Sequence, residues 1–362
     1  MFSGDIYIFG AKSTAIGLIR AIKDQYKDCR IKGCIVSSLE GNPDEIDGIE
    51  VSELRTFSKE IPDEEKSTVK IVIATPVYVQ GEIRDTLRMF GFKNVVGLDT
   101  KTEEAVMGKY FESIGDFRSL DSLKEGEVMP KTCVLEVKHC MDRMLKGFYK
   151  NDPWVMDIQA GAVNTEERIS SLLDSDGDNI SEMNALYCEE TALYWMWKNM
   201  INNPKEDYEY YGLYQYRRVL NVTEEDLKHI KAENVDVVLP YPMLHLPDIK
   251  EHHGRYANEM EWDMLLKAVS ELAPEYSADY ERIFSLPYMY NYNMFVAKRE
   301  VVQDYCQWLF PIMFRTEELC KNAEVPFTKR YLAYFAESLL TWYFMHNADK
   351  LNIVHTGRIL RE

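Results

Sequence analysis

The hydrophobic positions of the first hundred residues follow two alternating periods. Apolar runs as long as buried strands are followed by stretches in which apolar residues recur every three or four positions. The run DIYIFGA predicts a strand, and TAIGLIRAIKDQY predicts the helix that follows it. Further strands are predicted in IKGCIVS, VKIVIATP and NVVGL, with an amphipathic helix in GEIRDTLRMFGF. This alternation predicts a parallel sheet with crossover helices.

A second alternation of strands and helices begins at Thr132. TCVLEVKH, WVMDIQAGA, YEYYGLYQYRR and VDVVLP predict strands, whereas YLAYFAESLLTWYFMHN has the period of a helix. Residues 101–130 are charged, contain glycine and end in Pro130, so they predict a helical linker. The sequence therefore predicts an α/β protein with a Rossmann-like parallel-sheet domain in 1–100 and a second α/β domain in 131–362.

Composition and charge narrow the class of protein. The 362 residues exceed the usual size of one domain, and 46% hydrophobic residues are ample for a folded core. The net charge of −18 argues against general nucleic-acid binding, because no excess of Lys and Arg can neutralise phosphates. The seven cysteines form no CxxC pair, and no apolar run reaches the ~20 residues of a membrane span. We expect a soluble cytoplasmic protein.

The first strand–helix turn is only a partial dinucleotide-binding motif. In GAKSTA, Gly10 is kept, but Lys12 and Ala15 stand where the motif needs its second and third glycines. The second strand ends in Ser37 and Ser38, where an acid would bind the ribose. A structural or partner-docking role is favoured for this domain. A nucleotide or nucleotide-sugar site at Lys12 and the helix start, including NAD-dependent oxidation of a sugar nucleotide, is the alternative.

The stretch DNISEMNALYCEETALYWMWKN predicts one helix with an unusual polar and aromatic face. Asn179 is the predicted cap, with Glu182 as its capping-box partner. Tyrosines, amides and a lysine then fall on one side at helical spacing: Asn184, Tyr187, Thr191, Tyr194 and Lys198. Flat aromatic rings and side-chain amides are suited to gripping sugars. An ordinary helix that exposes its tyrosines is the alternative.

Four ordered blocks of the second domain carry a resemblance to a known family. DGDNISEMNALYCEETALYWMWKN, YYGLYQYRR, YNYNMFVAKREVVQDYCQWLF and RYLAYFAESLL resemble a bacterial family of capsular and exopolysaccharide biosynthesis proteins. That family was long known as a domain of unknown function and is now regarded as glycosyltransferases. The resemblance covers about residues 132–345. The chain departs from the family pattern at Cys140, after His139, and at Gln215, before two arginines.

The resemblance implies a GT-A-like fold and transfer of a hexose, of the galactose type, from a nucleotide donor. The donor would be a nucleotide sugar, expected to be UDP-linked, and the acceptor a lipid-linked or polysaccharide precursor. Such a protein would act in the cytoplasm, with peripheral contact to the membrane or to an assembly complex. His139 is a substrate-binding candidate by position. A non-catalytic scaffold of polysaccharide assembly is a further alternative.

The leaving diphosphate of such a transfer needs a cationic partner. Arg217 and Arg218 end a predicted strand, and guanidinium groups bind phosphates in bidentate fashion. Asp-x-Asp motifs occur at Asp174, Asp176 and Asp178, but in a polar loop rather than at a strand end, so turn chemistry is favoured there. No cofactor is predicted, and a divalent metal is not favoured. Surface salt bridges are the alternative role for the arginines.

The remaining candidates are residues that could bind a sugar or accept a proton from the acceptor. Asn291, Tyr292 and Asn293 lie where a strand is predicted to meet a helix, a position that can touch donor or acceptor sugar. A general base, needed if the configuration inverts, is sought among three carboxylates: Asp263, Glu337 and Glu190. Each of them could instead be a solvated helix carboxylate. The histidines of HLPDIKEHHGRY fit no metal signature, and a loop over the site is predicted there.

Overall fold

The computed structural model describes residues 1–115, 117–147, 149–326 and 328–361. Its strands, numbered in chain order, are β1 (Gly4–Phe9), β2 (Cys29–Val36), β3 (Glu45–Ile46), β4 (Ile49–Glu53), β5 (Ile71–Ile73), β6 (Val95–Gly97), β7 (Thr132–Lys138), β8 (Val155–Gln159), β9 (Leu172–Leu173), β10 (Tyr210–Gln215), β11 (Arg218–Leu220), β12 (Val237–Pro240), β13 (Met243–Leu244), β14 (Tyr288–Met289), β15 (Phe295–Lys298), β16 (Ile353–Thr356) and β17 (Arg358–Leu360).

The α-helices, numbered in the same way, are α1 (Ser13–Gln25), α2 (Leu54–Glu60), α3 (Asp63–Lys66), α4 (Val77–Met89), α5 (Thr100–Ser113), α6 (Asn184–Tyr187), α7 (Glu190–Met196), α8 (Glu224–Ala232), α9 (Ile249–His253), α10 (Glu259–Leu272), α11 (Pro274–Ser277), α12 (Tyr280–Phe284), α13 (Arg299–Asn322) and α14 (Tyr331–His346). Within the described ranges, no helix is both long and apolar enough to cross a membrane.

The chain forms two compact units. The first comprises Met1–Phe117 with the short segment Met243–Leu246, and the second comprises Arg118–Pro242 with Pro247–Glu362. Helix α5, which covers the start of the predicted linker, belongs to the first unit, whereas the predicted linker residues from Arg118 onward belong to the second.

The first unit is a doubly wound α/β structure. In the described part of the chain its sheet has the order β3-β4-β2-β1-β5-β6, and every neighbouring pair is parallel except the β3–β4 hairpin. The parallel strands thus run third-second-first-fourth-fifth, the order of a Rossmann-type half. Apolar strand residues such as Ile6, Ile8 and Ile71 are fully buried. The α/β fold class predicted from the alternating pattern is confirmed.

Local contacts account for Gly10 and Lys12 in the turn between β1 and α1. Gly10 has φ +135°, and a Cβ at this position would lie 2.5 Å from the carbonyl oxygen of Ala74. The Lys12 ammonium donates to the carbonyl of Gly41. At the start of α1, Ser13 Oγ lies 3.3 Å from Nδ1 of His245, in the segment Met243–Leu246. Close approach of two backbones is therefore a sufficient reason for Gly10.

The second unit is built on a mixed sheet. Among the described residues the order is β16-β12-β15-β10-β7-β8-β9, with β11 joining β10 to β17 at one edge. Only β15 is antiparallel to its neighbours within the main path. Alternate residues of each strand point to opposite faces. Leu135 and Leu213 face a large core with α7, α10, α13 and α14, whereas Val134 and Tyr214 face a smaller core with α8.

The prediction of one continuous helix over residues 178–199 is wrong. A 3₁₀ turn (Ser181–Met183) leads into α6, the chain bends at Cys188 (φ +50°, ψ −125°), and α7 runs on into a π turn (Trp197–Ile201). Asn179 does not cap α6. Its Oδ1 accepts from the N–H of Ser181, the first residue of the 3₁₀ turn, over 3.2 Å, and its Nδ2 donates to the carbonyls of Ser175 and Gly177. Single-sequence periodicity does not register one residue with positive φ, so the break at Cys188 left no signal in the pattern.

Candidate functional site

Polar side chains of the second unit gather at one edge of its sheet. Strands β7 and β10 are parallel and end at Lys138 and Gln215, and antiparallel β15 begins at Phe295. The residues that follow β7 and β10 therefore meet those that precede β15 at the same edge. In open α/β sheets this carboxyl edge is where ligands bind. Asn291, Tyr292 and Asn293 lie here between strands β14 and β15, and not at a strand–helix junction as predicted.

Two arginines lie over the ring of Tyr292, and a third, Arg217, lies over the ring of Tyr216. Strand β10 ends before the predicted pair, so Arg217 lies in the tight turn between β10 and β11 and Arg218 opens β11. The Arg218 guanidinium carbon lies 4.2 Å from the centroid of Tyr292, and that of Arg358, from β17, lies 5.5 Å from it. The prediction that both arginines end one strand is therefore wrong, because a hairpin turn begins before Arg217.

The Arg218 guanidinium is buried beside two further arginines. Burial, together with repulsion from Arg217 and Arg358, lowers the pKa of Arg218 below its usual value. The buried Nε of Arg217 has no hydrogen-bond partner in the described ranges. Guanidinium groups that crowd together and keep an unused N–H favour an anion with several oxygens. This part of the site is suited to a phosphate or diphosphate.

His139 and Asp142 form a turn beside these arginines. The backbone N–H of His139 donates to Asp142 Oδ2 over 2.7 Å, and His139 Nδ1 accepts from the N–H of Met141 over 3.1 Å. Burial raises the pKa of Asp142, while His139, Arg217 and Arg330 oppose that rise. Arg330 is exposed and donates from Nε to Cys188 Sγ at 2.9 Å. His139 is thus held at the edge of the site by its own turn.

Glu337, on α14, has its carboxylate in the same polar network. Its Oε2 accepts from Asn291 Nδ2 over 2.9 Å. Burial raises its pKa to about 7; Asn291 and Arg218 oppose the rise, and the charge of Glu189 adds to it. A carboxyl group that titrates near neutral pH can accept a proton and release it under working conditions.

Glu189 is tied into the same network. Its Oε1 accepts from Gln215 Nε2 at 3.1 Å and from Asn293 Nδ2 at 3.2 Å. Gln215 also donates to the backbone carbonyl of Tyr292 over 3.0 Å, and its Oε1 lies 3.4 Å from Arg218. Gln215 therefore joins Arg218, Glu189 and the loop before β15. The departure from the family pattern at this position has a positioning role in this chain.

The other two base candidates lie in different surroundings. Both carboxylate oxygens of Glu190 are buried and have no hydrogen-bond partner in the described part of the chain, and burial raises its pKa well above its usual value. Glu190 accordingly lies in the core, away from hydrogen-bond donors of the described residues. Asp263 is exposed on α10. Of the three candidates, Glu337 has the position and the environment that a general base needs.

Backbone strain is concentrated around this edge. Seven non-glycine residues of the described chain have positive φ, and four of them are site residues or their supports: Cys188, Tyr292, Asn293 and Arg330. Such conformations cost roughly 1–3 kcal/mol each and persist where the surroundings enforce them. The loop Asn291–Asn293 is thus held in place by Glu337, Gln215 and Glu189 against its own backbone preference.

The predicted sugar-gripping helix face does not line this site. Tyr187 is fully buried and donates to Glu317 Oε2 on α13 over 2.9 Å. Asn184 donates to Cys188 O and to Thr191 Oγ1, and Asn179 is bound within its own loop. Tyr194 packs against Phe310 on α13, and Lys198 lies 3.9 Å from the ring centroid of Trp197. Because the chain bends at Cys188, these side chains pack against α13 or form hydrogen bonds within their own segment.

Asp174, the first aspartate of the Asp-x-Asp motifs, has a structural role. Asp174 is fully buried and accepts four hydrogen bonds, from the N–H groups of Gly161 and Ala162 and the hydroxyls of Ser181 and Thr191. Asp176 and Asp178 are exposed. Over the described ranges, no group of three or more His, Cys, Asp and Glu side chains is placed to hold a metal ion. The carboxylate Asp174 is already saturated with donors, so it has no free lone pair for a metal.

Several residues of the site were not predicted from the sequence. Arg358 and Asp142 belong to none of the four blocks that carry the resemblance. Arg330 opens the block RYLAYFAESLL and Glu189 stands beside the candidate Glu190, but the residue pattern gives neither of them a role. The sheet topology, which brings β17 beside β11, is what places Arg358 in the cluster.

Comparisons with known proteins agree with this topology. A family model described as a domain of unknown function, DUF4422, matches residues 139–348. Among solved structures, the apo form of the bifunctional glycosyltransferase WbbM matches with a TM-score of 0.53 and 23% identity over 64% of this chain. The matched part is 45% of the WbbM chain, so this chain spans somewhat under half of that protein. The search of curated proteins gave no match. At this identity the likeness to WbbM is one of fold.

Proposed function

This chain belongs to the DUF4422 family, and from that membership, its fold and its site we propose that it is a glycosyltransferase that uses a nucleotide-sugar donor. The observation that carries the proposal is the pairing of an arginine cluster with a near-neutral carboxyl group at one sheet edge. The fold shared with a bifunctional glycosyltransferase supports it.

The arginine cluster would bind the diphosphate of the donor. When the glycosidic bond breaks, its electron pair passes to the departing phosphate oxygen, and negative charge accumulates there. Arg217, Arg218 and Arg358 are charged at any relevant pH and can donate two hydrogen bonds each. Because Arg218 is held by the Tyr292 ring and by Gln215, little reorganisation is needed as the charge develops.

Glu337 would act as the general base. In an inverting transfer, its carboxylate takes the proton of the acceptor hydroxyl while the hydroxyl oxygen attacks the anomeric carbon. The bond from that carbon to the diphosphate breaks on the opposite face. Asn291 fixes the orientation of the carboxylate, and the Glu337 pKa of about 7 leaves it ionised in an appreciable fraction at neutral pH.

The finer specificity rests on the sequence resemblance described above. We propose a hexose of the galactose type as the transferred sugar, with a UDP-linked donor. The acceptor we propose is a lipid-linked or polysaccharide precursor at the cytoplasmic face of the membrane. Capsular or exopolysaccharide assembly would consume the product.

Calorimetric titration with a panel of UDP- and GDP-sugars tests this proposal. We expect one or a few UDP-sugars to bind, and UDP to be released slowly when water replaces the acceptor. Absence of binding to every member of the panel, together with no nucleotide release with lipid-linked acceptors, would contradict it. The double variant Arg217→Ala/Arg218→Ala is the matched control, since binding through the cluster must be lost in it.

A further inference from the structure

A small pocket opens beside Glu337. Its lining of aromatic and polar side chains includes His252, Tyr256, Tyr334, Glu337 and Ser338. All of them come from α9, the turn after it, and α14. The pocket is narrow, with room for a hydroxyl group rather than for a whole sugar ring. Glu337 therefore lines this pocket and also belongs to the network of Asn291 and Arg218.

The rim of the pocket is an aromatic platform. The ring of Tyr256 stacks on that of Tyr334 with centroids 4.5 Å apart and planes at 28°, and the His252 ring meets its edge at 5.1 Å. Tyr256 nevertheless keeps 38% of its surface exposed. Part of a large ring thus remains open to solvent beside the pocket mouth. The face of an aromatic ring packs well against the C–H surface of a sugar.

The platform and the carboxyl group belong to one electrostatic environment. Burial raises the pKa of the Tyr256 hydroxyl, and the charge of Glu337 adds to that rise. The neighbouring Tyr292, which carries Arg218 on its ring, contributes in the same sense. Tyr256, Glu337 and Tyr292 therefore follow one another from the platform to the arginine cluster.

From this arrangement we infer that Tyr256 and the pocket beside it form the acceptor subsite, which binds a neutral glycoside by stacking. One hydroxyl of that sugar enters the pocket and meets Glu337. Its proton passes to the Glu337 carboxylate, its oxygen bonds to the anomeric carbon of the donor, and the diphosphate departs towards Arg217, Arg218 and Arg358. This inference rests on the proposed function, because it assigns the acceptor side of the same reaction.

Binding of simple glycosides tests the inference separately from the donor. The probes are methyl glycosides of common hexoses, observed by saturation-transfer difference NMR with saturating UDP present. We expect binding by the unaltered protein, about tenfold weaker binding by Tyr256→Ala, and recovery in Tyr256→Trp, since stacking on a ring is what the subsite supplies. Tyr78→Ala is the matched control, because Tyr78 is 70% exposed and lies in the first unit.

Transfer kinetics give a second readout. With a UDP-hexose and a methyl glycoside that binds, Tyr256→Ala should raise the KM for the glycoside about tenfold, whereas Tyr78→Ala should leave that KM unchanged. An unchanged glycoside affinity in Tyr256→Ala, or no glycoside binding by the unaltered protein, overturns the acceptor subsite. Failure to bind any UDP- or GDP-sugar overturns the proposed function, and calorimetry reports that outcome independently of the glycoside.

Discussion

At the scale of single residues, the arginines beside Tyr292 and Tyr216 carry the most direct prediction. Replacing Arg218 with Ala should lower kcat/KM by ~10²-fold or more, a loss typical of removing one preorganised charge-stabilising group. Arg217→Ala should have a similar effect, and Lys should restore only part of it, because an ammonium cannot reproduce the bidentate fork. Release of UDP from the donor is the measurement. Arg282→Ala, which removes an exposed arginine paired with Asp279, is the control.

The same residues predict the response to chelation. If protein cations neutralise the diphosphate, EDTA should leave most of the transfer activity intact. Abolition by EDTA with recovery in Mn²⁺ would contradict a metal-free mechanism. Asp174 is an unsuitable ligand because four donors already occupy its oxygens. The acidic neighbours of Arg218, Glu189 and Glu337, would then be examined first.

Glu337 predicts opposite pH effects on activity and on stability. As a base it acts when ionised, so kcat should fall as pH drops below about 7, and Glu337→Gln should lose roughly 10²–10⁴-fold. Its pKa is raised on folding from 4.5, so the stability it contributes is present below about 4.5 and is lost as pH rises through about 7. At pH 8, Glu337→Gln should be more stable than the unaltered protein.

The difference between the pKa of Glu337 in the folded and in the unfolded protein sets the size of that stability difference. It is at most about 3 kcal/mol, and less where water in the pocket screens the charge. Urea unfolding of both proteins at pH 5 and pH 8 measures it. The charged and titratable neighbours that modulate the effect are Arg218, Glu189, Glu190 and Tyr256. A variant that is less stable at pH 8 than the unaltered protein would contradict the assignment.

Sequence reasoning reached part of the site at this scale. His139, Arg217, Arg218, Asn291, Tyr292, Asn293 and Glu337 were selected from four separate segments, and the structure brings them to one sheet edge. Arg217, Arg218 and the run Asn291–Asn293 are indicated by their chemistry at predicted strand ends, His139 by its place in the family pattern, and Glu337 as a possible base. Arg358 has no such signal, because its place depends on which strands become neighbours. Arg330 opens a block of the resemblance, but its contact with Cys188 depends on the fold.

At the scale of elements, the bend at Cys188 predicts that glycine stabilises this position more than alanine does, the reverse of their order in a regular helix. Its φ of +50° and ψ of −125° suit glycine, whereas alanine is strained there. Cys188→Gly should therefore be more stable than Cys188→Ala by about 1 kcal/mol, although alanine is favoured over glycine in a regular helix. Both variants lose the Sγ contact to Arg330 equally. Urea midpoints compare them, and a more stable alanine variant would show that the bend is absent.

The same bend explains why the helix prediction failed while the strand predictions held. Strands β7, β10 and β12 consist mostly of buried apolar residues, and burial on both faces favours that pattern. The stretch from Asn184 to Lys198 also keeps helical spacing, but the two halves differ in direction after Cys188. Tertiary bonds from Asn184 to Cys188 and Thr191 enforce the break, and those partners are set by the fold.

At the scale of the whole molecule, the first unit offers a test of the oxidoreductase alternative. Gly10→Val should destabilise this unit whether or not a nucleotide binds, because its Cβ would lie 2.5 Å from Ala74 O at φ +135°. Loss of NADH binding in that variant would therefore be ambiguous. Lys12→Ala keeps the backbone, so it is the diagnostic change, with the exposed Lys93→Ala as its control.

We expect NADH fluorescence titration to give no saturable binding by the unaltered protein or by either lysine variant. Tight binding that disappears in Lys12→Ala alone would favour the oxidoreductase. Thermal melts of Gly10→Val should show a lowered transition with or without NADH. The parallel order of this unit was predictable from its alternating pattern, whereas the reason for Gly10 required the neighbouring strand.

The left-handed residues beside the site also matter for laboratory evolution. Cys188, Tyr292, Asn293 and Arg330 each hold a conformation that glycine would adopt at lower cost. A library screened for heat tolerance should therefore enrich glycine at these positions, and a library screened for sugar transfer should reject it at Tyr292, where the ring carries Arg218. The two selections would therefore favour different residues at the same few positions. Deep sequencing of both pools would show which of these positions sugar transfer requires.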